Sequence, residues 1–187
     1  MKKTVWTFGL IAGAILSVMM LITLPFHDEI GFDRAEIIGY TSMVAAFLLI
    51  FFGVRSYRDN VRNGRVSFGR ALSVAVLIAL VASGCYAATW QVVYFGVIGT
   101  KADFLAKYQE HQITKAREGG ATQAQIDKQV ADNRRMLELY NNPVINFGMT
   151  ILEPLPVGLV LSLVSAGVLS RRRKSGMGLA EAASQGA

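Results

Sequence analysis

Four stretches of this sequence contain no Asp, Glu, Lys or Arg: residues 4–26, 37–54, 71–100 and 154–170. A helix rising about 1.5 Å per residue needs about 17–25 apolar residues to cross about 30 Å of hydrocarbon, and each stretch is near that length. Lipid offers no water to pair with peptide groups, so a spanning segment is a helix or part of a closed barrel. The short alternating segments that a barrel needs are absent. The expected fold class is therefore all-α, an integral membrane four-helix transmembrane bundle with spans at about 5–24, 37–54, 71–97 and 147–169.

Composition alone, 52% hydrophobic and 17% charged, also fits a soluble domain, and only the clustering of charge decides against it. Met1, Lys2 and Lys3 ahead of an apolar run resemble a signal peptide. That run exceeds the usual apolar core of about 7–15 residues and no small-residue cleavage site follows, so it is read as the first span. Cys85 is the sole cysteine, cannot form an intramolecular disulfide, and says nothing of redox compartment.

Positive residues resist translocation, so the basic ends of the spans set orientation. Lys2, Lys3, Arg55, Arg58, Arg62, Arg65, Arg70, Arg171, Arg172, Arg173 and Lys174 fall on one side, which carries only Asp59 and Glu181 as acids. The other side has Arg34 and seven further cations against ten acids, leaving Glu153 out. The expected topology places both termini in the cytoplasm and the segment 98–146 on the outer side of the membrane. Residues 1–174 form the membrane domain, and 175–187, small and polar, read as a loose cytoplasmic tail.

The outer segment carries its own helix signals. Thr100-x-x-Asp103 and Thr122-x-x-Gln125 read as starts, the second a true capping box. Gly119-Gly120 supplies a C-cap and Asn142-Pro143 a stop. These predict an extracytoplasmic helical hairpin at about 101–118 and 123–140, inside the segment 100–142. On its second helix Ile126, Val130, Leu137 and Tyr140 share a face. Its bland partner is the first hairpin helix, through Phe104, Leu105 and Tyr108; its sharper partner is another protein or the membrane surface.

Small residues recur four apart in three spans: Gly9, Gly13 and Ser17; Ala75, Ala79, Ser83 and Ala87; Gly158, Ser162, Ala166 and Ser170. Such faces let helices approach closely in lipid. Packing within one monomer is the favoured reading and a homo-oligomer the alternative. Arg55, Arg58, Arg62, Arg65, Arg70 and the basic run 171–174 are expected to meet anionic lipid headgroups. Topology already accounts for them, so no nucleic-acid partner is expected.

Glu153 is the one acid in or near a span, and intramembrane carboxylates are functional candidates by default. Pro154 and Pro156 lack amide donors, which frees the carbonyls of Thr150 and Leu152. Either the fourth span begins there or it kinks around open carbonyls, a construction that can hold cations. Glu153, Thr150 and Gln91 form the candidate ion or proton site, with Gln91 facing Glu153 from the third span. Trp6, Trp90 and Tyr94 read as interfacial anchors. His27 and His111 lack companions at ligand spacing, so neither a metal nor a cofactor is expected. Nucleophile-elbow, Walker and dinucleotide motifs are absent, which leaves enzyme the least supported class.

Three strings carry a resemblance: residues 52–60 (Phe-Gly-Val-Arg-Ser-Tyr-Arg-Asp-Asn), residues 66–71 (Val-Ser-Phe-Gly-Arg-Ala), and Asn142-Pro143 followed by residues 153–159 (Glu-Pro-Leu-Pro-Val-Gly-Leu). Over about residues 4–174 the chain resembles the bacterial membrane family known as domain of unknown function 4199. The resemblance implies a four-span membrane protein without assigned activity or catalytic residues. The expected role is a non-enzymatic structural or accessory component presenting the hairpin, the alternative a small transporter or channel component using Glu153.

Overall fold

The computed structural model describes residues 1–97 and 101–170, apart from the side chains at 27, 28, 97 and 101–106. Thr100, Phe104, Leu105, the basic run Arg171, Arg172, Arg173 and Lys174, and the tail at 175–187 therefore lie outside the described residues or side chains. Among the described residues the chain is helical, with no strand. Helix α1 (Lys2–Thr23) runs through a 3₁₀ turn (Leu24–Phe26) and one-turn α2 (His27–Ile30) into the long α3 (Phe32–Val61). Then come α4 (Phe68–Val92), ending in a π turn (Val93–Val97), the hairpin α5 (Lys101–Glu118) and α6 (Gln123–Tyr140), and finally α7 (Pro143–Leu152) and α8 (Leu155–Ser170).

Four segments are long and apolar enough to cross a membrane: Lys2–Phe26, Phe32–Val61, Phe68–Gly96 and Pro143–Ser170. They pack in a ring in which α1 touches α4 and α3, α8 touches α4 and α3, and α4 also crosses to α3. This arrangement is compatible with a membrane bundle. Its outer surface is apolar: Leu10, Ile22, Ile37, Phe52, Val160 and Leu163 are all about half exposed or more, as a lipid-facing surface requires. Inside, Phe47, Ile50, Val54, Val74 and Ile78 are fully buried. Lipid removes the hydrophobic drive between helices, so close van der Waals contact holds this core.

The small residues make that contact. Gly9, Gly13, Ser17, Ala79, Ser83, Gly158, Ser162 and Ala166 are all buried between helices of one chain. A Cβ on Gly13 would lie 2.6 Å from Cys85 Cβ, and one on Gly9 2.7 Å from Val81 Cβ. Helix α4 therefore lies directly against α1. Asn63 and Gly64 adopt positive φ, 50° and 81°, and turn the chain from α3 into α4.

The capping box forms at the start of α6, with the Thr122 amide donating to Gln125 Oε1 at 2.8 Å. Gly120, at φ 81°, ends α5 in the left-handed conformation that glycine adopts freely. Asn142-Pro143 does more than stop α6. The Asn142 side chain accepts from the amides of Val144 and Ile145, and Pro143 occupies the first helical position, where its missing amide costs nothing. The fourth span thus starts at Pro143, ahead of the expected residue 147, and breaks at Glu153 and Pro154 between α7 and α8.

Candidate functional site

The break between α7 and α8 places Glu153 at the C-terminus of α7, its amide donating to the Thr150 carbonyl at 3.4 Å. Pro154 follows, so the fourth span cannot carry an unbroken ladder through this point. Glu153 lies 10 residues after Pro143 and 17 before Ser170, about 26 Å from the latter along an ideal helix. The Tyr86 hydroxyl on α4 donates to Glu153 Oε2 at 3.4 Å.

Above Glu153 the hairpin folds back over the ends of the long helices and bounds a half-open cavity of about 580 Å³. Its walls come from α1, α3, α4 and α7, and its roof from α5 and α6, through Tyr108, Gln109, Gln112, Asn133, Met136 and Tyr140 among others. Five methionines line it, Met19, Met20, Met43, Met136 and Met149, of seven in the chain. The volume falls within the range of about 300–1,000 Å³ typical of small-molecule sites.

Two seams hold the roof down. At one, Phe32 at the start of α3 meets Tyr108 and His111 of α5, with ring centroids 5.6 and 5.1 Å apart. Beside it Asp33 Oδ1 lies 3.1 Å from His111 Nε2 and also binds the Lys115 ammonium. This contact raises the Lys115 pKa above its ordinary value. At the other seam Gln91 of α4 donates to Asn146 Oδ1 at 3.1 Å and to the Pro143 carbonyl at 2.8 Å, while Asn146 donates to the Tyr140 carbonyl at 3.2 Å. Asn146 is fully buried. Tyr94 packs edge-on against Tyr140 at 5.5 Å, and its hydroxyl donates to Asn141 at 3.3 Å. Burial pushes the Tyr140 phenol up, so it stays protonated; its oxygen sits 3.3 Å from Thr150 Oγ1.

A family model described as Protein of unknown function (DUF4199) matches residues 7–171. The chain belongs to this family. No curated protein and no solved structure matches it.

Of the three residues expected to form one site in this DUF4199 chain, Glu153 and Thr150 line the cavity together, and Gln91 does not join them. Gln91 faces Asn146 because α7 precedes the break and carries an amide deeper into the α4 contact. Nor do Trp90 and Tyr94 stand at a lipid interface: they are 9% and 1% exposed, with ring centroids 5.7 Å apart, and the returning hairpin covers them. Trp6, at 57%, does face outward.

The apolar stripe of α6 splits between roles. Ile126 is buried, Leu137 and Tyr140 line the cavity, and Val130 remains 39% exposed. Tyr108 turns toward Phe32 of α3 as well as the cavity. Helix α3 does continue past the apolar stretch 37–54, and there Asp59 pairs with Arg58 at 2.7 Å and with Arg55 at 3.7 Å. Arg62, Arg65 and Arg70 are exposed. Among the described residues no group of three His, Cys, Asp or Glu could hold a metal.

Sequence reasoning missed the cavity and its seams. The methionines at 19, 20, 43, 136 and 149 are scattered over four helices and meet only in the fold, so their number was no signal of the cavity.

Proposed function

We propose that this protein is a non-enzymatic accessory component of the bacterial cytoplasmic membrane, with both termini inside, whose extracytoplasmic hairpin closes a binding cavity for a small, largely apolar molecule. The observation that carries this reading is the methionine-lined space of about 580 Å³ beneath α5 and α6. A cleft of this size, with largely apolar walls and a few polar groups, has the character of a binding site. The imbalance of cations across the chain supports the orientation. The exposed Arg62, Arg65 and Arg70 then meet anionic headgroups, while the small-residue positions Gly9, Gly13 and Gly158 are used in packing within one chain.

The test uses Trp90, which lines the cavity, as the only fluorophore of its kind in a Trp6→Phe background. In nanodiscs, energy transfer from Trp90 to the neutral probe N-phenyl-1-naphthylamine should saturate, and should fall when Met136→Phe narrows the cavity with Trp90 and the Trp6→Phe background kept. Transfer that rises linearly with probe, as simple partitioning into lipid does, overturns the reading. Reporter fusions after Arg62, Ala121 and Lys174 should read inside, outside, inside.

A second reading, transport, is favoured by one observation: the Glu153 carboxylate opens onto the cavity. Proton or cation flux into vesicles that is lost in Glu153→Gln would support it, and no flux in the wild type would remove it.

A further inference from the structure

The cavity has a charge as well as a volume. Among the described residues that line it, Asp33, Glu36 and Glu153 are carboxylates, and none is a lysine or arginine. Asp33 is already engaged by His111 and Lys115 at the rim. Glu153 lies at the other end of the space, where its described partner is the neutral Tyr86 hydroxyl. Its position at the C-terminus of α7 adds to the negative field, because the last carbonyls of a helix carry partial negative charge. Pro154 and Pro156 have no amide to donate to the Thr150 and Leu152 carbonyls, and the Glu153 amide reaches the Thr150 carbonyl at 3.4 Å instead. Aromatic faces complete the lining: Tyr40, Tyr86, Trp90 and Tyr140.

An anion would meet like charge, with no lysine or arginine among the described lining residues to receive it, and a neutral molecule would leave Glu153 to be neutralised by a proton and not by its ligand. A cation meets a carboxylate and aromatic rings, both of which attract it. The methionines then require that the rest of the molecule be apolar and tolerate variation in its shape. A bare metal ion or a proton does not need five thioethers.

Resting on the cavity reading above, we propose that the space binds an organic cation, an ammonium-type centre on an apolar body, with Glu153 as its counter-ion and the methionine walls around its apolar part. The ammonium belongs either to a free amphiphilic amine or to a lipid headgroup.

Two ions of matched size and opposite charge, tetraphenylphosphonium and tetraphenylborate, test the charge directly on the wild-type protein. In phosphatidylglycerol nanodiscs, quenching of Trp90 fluorescence in the Trp6→Phe background and equilibrium retention of labelled probe should both show saturable binding of the phosphonium and none of the borate. Glu153→Gln should weaken phosphonium binding by about tenfold to 100-fold, the effect of removing a charged hydrogen-bonding partner, while Glu153→Asp retains most of it. Equal binding of both ions, or phosphonium binding unchanged in Glu153→Gln, overturns the proposal. If that comes with saturable N-phenyl-1-naphthylamine binding, the cavity reading stands and only the charge assignment fails. If the neutral probe also fails to saturate, both fall. The wild-type comparison of the two ions decides the matter even if the Glu153 variants do not fold. Competition by added phosphatidylethanolamine supports the lipid source of the ammonium, and its absence supports a free amine.

Discussion

The contact between α1 and α4 makes a quantitative demand on two glycines. A Cβ placed on Gly13 would stand 2.6 Å from Cys85 Cβ and 3.2 Å from the Ala82 carbonyl oxygen, whereas one on Gly84 meets nothing within 4 Å. Ordinary carbon contacts lie at about 3.5–4.0 Å, so Gly13→Ala must push the two helices apart by close to an ångström at that level. Overpacking of this kind costs about 1–3 kcal/mol. Both substitutions replace a mid-helix glycine by alanine and gain the same helix propensity, about 1 kcal/mol, so subtracting one from the other isolates the interface. Gly13→Ala should therefore be less stable than Gly84→Ala by about 1–3 kcal/mol, or roughly 5- to 150-fold in the unfolding equilibrium. Reversible unfolding in mixed micelles, titrated with dodecyl sulfate and followed through Trp90, measures the difference. Cys85 gives a second readout, since spreading the seam should speed its reaction with a maleimide. A difference below about 0.5 kcal/mol, the range of an ordinary surface change, would refute close packing of α1 on α4.

Asn146→Leu leaves the Tyr140 carbonyl without its buried donor and Gln91 with one partner fewer; a loss of about 1–3 kcal/mol is expected, together with faster amide exchange through the last turn of α6. Asp33→Asn and Lys115→Met should each free the α5 edge of the hairpin, seen as faster cleavage at Gly119 and Gly120 by an added protease with little change in global unfolding. Because the folded Lys115 value is raised, whatever that contact contributes is fully present below the ordinary lysine value of 10.5 and is lost only as pH climbs through the higher folded value. A spin-label distance between positions 37 and 118 should accordingly stay constant through neutral pH in the wild type and widen in Lys115→Met.

The spans were legible because the bilayer imposes one local requirement, an uncharged run of sufficient length, and Lys2, Arg55 and Arg70 mark its ends. The hairpin was legible because capping is local too: Thr122 and Gln125 are three residues apart, and Gly120 needs only its own backbone. The cavity was not, because nothing in residues 98–146 alone states that the hairpin returns onto the helices that precede it. Gln91 finds Asn146 across 55 positions and Tyr86 finds Glu153 across 67, and neither pairing leaves a trace in the spacing of its own helix. Trp90 and Tyr94 show the same limit from the other side. An aromatic ring with a polar tip suits both a lipid interface and a covered polar pocket, and only the return of α6 decides between them. Pro143 was misjudged for a related reason, since the residue that ends one helix can open the next.

A cover fastened along both edges does not swing like a door. One edge, at the end of α6, is stitched by the fully buried Asn146 amide, which donates to the Tyr140 carbonyl; the other is closed by Asp33 against His111 and Lys115 of α5, where the carboxylate and ammonium are roughly half exposed. Water competes freely for the second set and not for the first. Under the binding role proposed above, such a seal has a built-in order of release, opening first at Asp33 while the amide edge keeps the hairpin in register for closing again.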